Sequence, residues 1–200
     1  MSDEIWLEKC EKYQKQSFRN RTRILTANGP QALSVPVVHA VTPDGKMPLV
    51  SEMTIDNKTP WQRNHWRAIV SAYGSSPYFL YYQDALKPFY ESEFDNLFEY
   101  NLLLIKTILK LINVEVQIHL TSDFAPMAEQ DLRTAIHPKK AAMNEYPLKL
   151  NQPYYQVFED RFGFVPNLSV VDLLFNLGPE TKSYLKTNLA YYINQLEWIK

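Results

Sequence analysis

The chain has 200 residues, 46% of them hydrophobic, and a formal net charge of −1. That length fits one domain with a sizeable core, and the missing basic excess argues against a nucleic-acid binder, which needs cations to displace counterions from phosphates. The single cysteine, Cys10, rules out an intrachain disulfide and fits a reducing compartment. An acidic start without an apolar run argues against a signal peptide, and the longest apolar stretches fall far short of a membrane span, so a soluble, cytoplasmic protein is expected.

Residues 4–55 read as β. In 4–9, Ile5 and Leu7 alternate with Glu4 and Glu8, with Trp6 as the exception. A strand is expected over 16–25, then a turn at Ala27-Asn28-Gly29-Pro30, because Asn-Gly is a strong hairpin signal. The return strand covers 32–38, with Pro36 marking an edge or bulge. A second turn, TPDGK at 42–46, leads to a strand over 49–55. The pattern changes at Thr59, where Thr-Pro-Trp-Gln reads as a capping box with Pro at the first helical position. The helix it opens, 60–73, ends at Gly74. A second helix over 76–90 is interrupted near Pro88. Residues 94–112 carry Phe94, Leu97, Phe98, Leu102, Ile105, Ile108, Leu109 and Ile112 at helical spacing. Val114, Val116, Ile118 and Leu120 then alternate with polar residues as a returning strand. Residues 122–150 read as a long loop with a short helix near 129–135. Short helices are expected over 154–161, 169–176 and 179–187, with a last helical segment over 189–199. Strands first, helices later and one strand returning indicate a mixed α/β fold. A single domain over 1–200 is expected, its β-rich N-terminal part packed with C-terminal helices.

The chain has no phosphate loop, dinucleotide fingerprint, nucleophile elbow or metal motif, so neither a metal nor a cofactor is expected. Four constellations stand out. Lys15, Ser17, Arg19, Arg21 and Arg23 fall at period two and would share one strand face. Arginine forks suit phosphate or carboxylate, although a solvated outer face is the commoner use of such a strand. His65 lies one turn after Trp61 on the same helix face. It reads either as a proton carrier or as a histidine bonded within the fold. Asp172 and Asn176 share a face of an apolar helix and need partners there. Asp172 either orients His65 or a bound amine, or it is the capping-box acid for Ser169; Asn176 either lines the site or satisfies the helix end. Finally, Arg133, His137, Lys139 and Lys140 either close over an anion or form a charged loop.

Four separated blocks fall in the order of one family. They are YQKQSFRNR at 13–21, then Asp56-Asn57 with WQRNHW at 61–66 and Ala72-Tyr73…Pro77-Tyr-Phe79. Next come Asp131-Leu-Arg133…Ile136-His-Pro-Lys-Lys140, and last QPYYQVFEDRFGFVPNLSVVDLLFNLGPE at 152–180. On these the chain resembles the WbqC-like proteins, often associated with bacterial surface-polysaccharide gene clusters. Members of that family usually begin with a further strand and helix, whereas this chain enters directly at the 4–9 strand. The resemblance implies surface-glycan assembly, and a transferase-type enzyme acting on a nucleotide-activated or phosphorylated sugar. On that reading Arg19 and Arg21, helped by Lys15, hold a diphosphate, His65 is the base and Asp172 orients it. Trp61, Asn167 and Asn176 complete the site. The expected partner is a small anionic ligand such as a nucleotide sugar, and a homo-oligomer is left open. The rival is a non-catalytic binding or scaffold protein, in which the same residues hold the fold. A pocket gathering Arg19, Arg21 and His65 would favour the enzyme; their dispersal over an outer face would favour the scaffold.

Overall fold

The hairpin forms around a two-residue turn, Ala27-Asn28, joining β2 (Arg21–Thr26) to β3 (Gly29–Ser34). It follows β1 (Glu4–Leu7) in the chain. Gly29 has φ +96°, a conformation that favours glycine. The register pairs Leu25 with Pro30, and the Val35 amide donates to the Asn20 carbonyl at 2.7 Å. That parity puts Pro30 at a position that gives no amide to its neighbour, so its missing N–H costs nothing. The structure, a computed structural model, describes residues 4–38, 45–124 and 152–196, with side chains of the last helix described to residue 188. Most of the 42–46 turn and the 122–150 loop, the cluster Arg133, His137, Lys139 and Lys140, and the end of the 189–199 segment lie outside the described residues.

Two strands expected from the sequence are corrected. Residues 15–20 are turns rather than the first half of a 16–25 strand. Side chains divert the backbone there: Ser17, 1% exposed, donates to the Gln14 carbonyl at 2.7 Å, and Asn20 donates to the Val35 carbonyl at 2.9 Å. Gln16 takes the left-handed conformation, φ 56°. The 49–55 strand is replaced by a 3-10 turn, Val50–Glu52, closed when Glu52 accepts the Leu49 amide at 3.0 Å. Isolated bridges tie it in, Leu49 to Lys12, Thr54 to Asn96 and Ile55 to Val37.

Helix α1 (Trp61–Tyr73) starts one residue later than expected. No side chain caps it. Instead the Trp61 amide bonds to the Thr59 carbonyl at 2.8 Å, and the Trp61 indole donates to Asn57 Oδ1 at 3.2 Å. The break near Pro88 separates α2 (Phe79–Leu86) from α3 (Pro88–Glu91). Helix α4 (Leu97–Leu111) begins at Asn96, whose side chain accepts from the Glu99 amide at 3.0 Å. Phe94, left outside it, stacks on Phe89 and meets Tyr100 edge-on. The returning strand β4 (Gln117–Leu120) pairs with β1 in parallel, Glu4 facing Gln117. Trp6 points outward, 64% exposed, and stacks on His119.

Only one turn of the 154–161 helix forms, α5 (Glu159–Phe162), because Gln156 is fully buried and holds its segment extended. Its side-chain amide exchanges two 2.9 Å bonds with the Val165 backbone. Helix α6 (Val170–Leu177) follows, with the Ser169 hydroxyl accepting from the Val171 amide. A 3-10 turn at Gly178–Glu180 then leads into one continuous helix, α7 (Thr181–Leu196), where two segments were expected. The molecule is mixed α/β, with two small sheets against helices. One core cluster joins Ile24 of β2 to Ile69 and Tyr73 of α1, Phe79 of α2 and Leu174 and Phe175 of α6. The other gathers Tyr13, Val37, Met53, Trp61, Leu97 and Tyr100 under the 3-10 turn.

Candidate functional site

The turns at 15–20 and the end of β3 enclose an open cleft of about 560 Å³, lined by Tyr13, Lys15, Gln16, Asn20, residues 34–37 and Asp56. Its size lies within the range of small-molecule sites. Each wall follows from local bonding. Tyr13 is anchored by its amide on the Pro48 carbonyl, and the Asp56 amide donates to the Pro36 carbonyl, both at 2.9 Å. Lys15 is exposed on the turn and has no acidic partner among the described residues.

The arginines divide. Arg19 gives its fork to Glu11, Nε to Oε1 at 2.7 Å and Nη2 to Oε2 at 2.6 Å, with both side chains mostly buried. Its carbonyl is also held, accepting from Asn101 at 2.7 Å. Arg21 makes one bond, to the Gln16 carbonyl at 2.5 Å, and has no carboxylate partner among the described residues. Both guanidinium charges act on the Tyr13 phenol. Burial pushes that phenol up, and Arg19 and Arg21 pull it down. Tyr13 is 4% exposed, lines the cleft, and its hydroxyl has no hydrogen-bond partner among the described residues.

None of Arg19, Arg21 and His65 lines the cleft, so the cleft does not gather the three as the enzyme reading expected; His65 stands behind its wall. It is hydrogen-bonded to the backbone of Ser34, a cleft residue paired in register with Arg21, and it meets the Trp61 ring edge-on at 5.2 Å. Burial lowers its pKa from 6.5 to about 4, and the bond to Ser34 only partly offsets this. The ring is therefore neutral near pH 7. Its second nitrogen has no partner among the described residues. Trp61 is a core residue, 4% exposed, with its indole held by Asn57.

Asp172 is not brought to His65. It is 1% exposed, and its carboxylate accepts from Tyr73 Oη at 2.8 Å, Tyr154 Oη at 2.6 Å and Gln156 Nε2 at 3.3 Å. Tyr73 and His65 are eight residues apart on α1, about 12 Å along a helix. The capping-box reading of Asp172 fails on the same bonds, since the Ser169 amide goes instead to the Arg23 carbonyl at 2.7 Å, across the free edge of β2. Burial pushes the Asp172 carboxyl up, and the bonds from Tyr154, Tyr73 and Gln156 pull it back. Asn176 donates to the Asp172 carbonyl at 2.8 Å, while its buried Oδ1 has no partner among the described residues. Asn167 takes φ 59° in the turn before α6, a conformation asparagine tolerates. This second constellation is a buried polar hub joining α1, α6 and the 152–165 segment.

Tyr13, Glu11, Asp56 and Gln156 were not singled out as site or hub residues from sequence. Tyr13, Asp56 and Gln156 stand inside the quoted blocks, but nothing local distinguishes a cleft-facing tyrosine from a core one. A second, polar cleft of about 400 Å³ lies over the start of α1. It mixes Arg63 with Glu91 and Glu93 and gathers none of the sequence candidates. Among the described residues no His, Cys, Asp or Glu cluster could hold a metal ion, and no helix is long and apolar enough to cross a membrane.

Comparison with known proteins bears on the whole of this region. The chain is 28% identical over 207 aligned residues to the "Uncharacterized protein Rv1507c" of Mycobacterium tuberculosis (strain ATCC 25618 / H37Rv), covering 92% of this chain and 88% of that protein. No solved structure matches. The model of the WbqC-like protein family matches residues 1–149. That stretch holds the first three blocks, the cleft and His65, and stops short of the fourth block and Asp172. With three-quarters of its length matched, the chain belongs to the WbqC-like protein family.

Proposed function

We propose that this protein is a transferase-type enzyme of bacterial surface-polysaccharide assembly, acting in the Tyr13–Asp56 cleft on a nucleotide-activated or phosphorylated sugar. The observation that carries the reading is Lys15 on the cleft wall with Arg21 next to it, bonded to the cleft residue Gln16, neither cation neutralised by a carboxylate among the described residues. A lysine on the cleft wall and an arginine whose charge acts on the Tyr13 phenol favour a phosphoryl group, which arginine takes bidentately. His65 is the proton acceptor in this reading. Its neutral ring has an acceptor nitrogen at pH 7, and a phosphate bound nearby raises its pKa from about 4 toward the ordinary range. Ligand binding thereby makes it a stronger base. Arg19 supports the cleft from behind through Glu11, and Asp172 acts through the hub that fixes α1.

A non-catalytic binding role is the second reading, favoured by the separation of Asp172 from His65. Turnover distinguishes the two. Nucleotide sugars are incubated with the protein and release of nucleoside diphosphate is measured, with thermal shift as the binding readout. The enzyme reading predicts that His65→Gln loses turnover and keeps the ligand-induced shift. A wild-type protein that binds and never releases nucleoside diphosphate with any acceptor supports the second reading.

A further inference from the structure

Asp56 faces the same cleft as Lys15, and its position is fixed. Its amide is held by Pro36 at 2.9 Å, and its Oδ1 accepts the Lys58 amide at 3.1 Å. Ile55 beside it bonds to the Asp95 carbonyl at 2.7 Å, and Asn57 donates to the Phe94 carbonyl at 2.9 Å. The second carboxylate oxygen has no partner among the described residues, and no ion pair joins Asp56 to Lys15. The wall of the cleft also includes Val35, Pro36 and Val37, an apolar strip. Tyr13, a mostly buried residue, adds a hydroxyl without a partner among the described residues, and both arginine charges act on it. A ligand anionic throughout would meet repulsion at Asp56.

We propose that the cleft takes a two-ended ligand, with a phosphoryl group held by Tyr13, Lys15 and Arg21 and a hydrogen-bond-donating group, hydroxyl or ammonium, held by Asp56. This rests on the cleft's being the anion site described above and adds to it the second pole and Tyr13. Tyr13 donates its O–H to a phosphoryl oxygen, a direction open because that hydroxyl has no acceptor among the described residues and two arginine charges favour an anion near it. Asp56 accepts from the far end and rejects a second anion there. A sugar phosphate meets both demands, and pyrophosphate meets only the first.

The test is calorimetric titration of the full chain with three probes: inorganic pyrophosphate, glucose 1-phosphate and glucosamine 1-phosphate. Tyr13→Phe should weaken all three by about tenfold, since it removes one charge-assisted hydrogen bond. Asp56→Asn should leave pyrophosphate unchanged or tighter and weaken both sugar phosphates. Asparagine keeps an acceptor oxygen and loses the charge, so a larger loss for glucosamine 1-phosphate identifies an ammonium partner, and an equal loss a hydroxyl. Should Tyr13→Phe fail to fold, the exposed Lys15→Gln tests the same end. If pyrophosphate binds with dependence on Arg21 while Asp56→Asn shifts all three probes alike or none, the two-ended ligand is overturned and the anion site stands. If wild-type protein binds neither pyrophosphate nor a sugar phosphate, both fall together.

Discussion

Arg19 and Arg21 are two residues apart and have different fates. On one strand they would share a face; in the fold, Arg19 lies in the 15–20 turns and gives its fork to Glu11, whereas Arg21 opens β2 and bonds the Gln16 carbonyl beside the cleft. Arg19→Ala should therefore act on folding. It leaves the mostly buried Glu11 charge unpaired, which costs about 3 kcal/mol, measured by urea unfolding. Glu11→Ala should cost about as much, and the double variant should cost less than the sum of the two. Arg21→Ala should leave the unliganded melting temperature nearly unchanged and abolish the ligand-induced shift. His65 gives a pH signature. Its folded pKa, about 4, lies below the unfolded value of 6.5. Between those values the unfolded chain binds a proton that the folded chain refuses, so stability falls as the pH drops through this window and is unaffected above it. Asp172 has a raised folded pKa and acts with the opposite sign. The difference in unfolding free energy between wild type and His65→Gln should thus shrink as the pH falls from 6.5 to 4. A difference that stays constant across the window would show that His65 titrates normally. At this scale the sequence reveals residue type and neighbourhood. It does not reveal that Glu11 captures one arginine of the pair, because that choice depends on how 15–20 turns.

The elements were legible where periodicity was long and caps were local. Helix α4 shows this, with its apolar spacing, and so does the hairpin at Asn28-Gly29. They were misread where a side chain competes with the ladder or helix: Ser17 and Asn20 against the first strand, Glu52 against the second, Gln156 against the helix over 154–161. The burial and bonding expected of Asp172 and Asn176 could be read from their apolar neighbours, but their partners could not. Tyr73 is 99 residues from Asp172 in sequence. Asp172→Asn should destabilise by about 1–3 kcal/mol, because one of the two tyrosine hydroxyls then loses its acceptor inside the protein. Tyr154→Phe in the Asp172→Asn background should cost less than in wild type. Gly178 ends α6 at φ 54°, and a Cβ there would meet the Tyr78 ring at 2.5 Å. Gly178→Ala should therefore lower the melting temperature, where an exposed alanine substitution would not.

On the scale of the whole molecule, the hairpin, the 3-10 turn and α1 form a frame around one cleft, and α6 with the 152–165 segment braces the frame from the other side of β2. The Ser169 bond to Arg23, the Arg161 bond to the Ala27 carbonyl and the Tyr73 bond to Asp172 link the two parts, over the core cluster they share. This explains why the fourth block is so specific in register without lining the cleft. Its polar residues hold α1 and the hairpin in place, and the candidate chemistry lies in the first two blocks. The central claim is that phosphate-bearing ligands bind between Tyr13, Lys15 and Arg21. The most direct measurement is a crystal structure of the full chain with UDP-glucose at a concentration that saturates its binding isotherm. The diphosphate should lie within hydrogen-bond distance of the Tyr13 hydroxyl and the Arg21 guanidinium, with the sugar extending along Pro36 toward Asp56. Ligand density at any other surface, with this cleft empty, would contradict it.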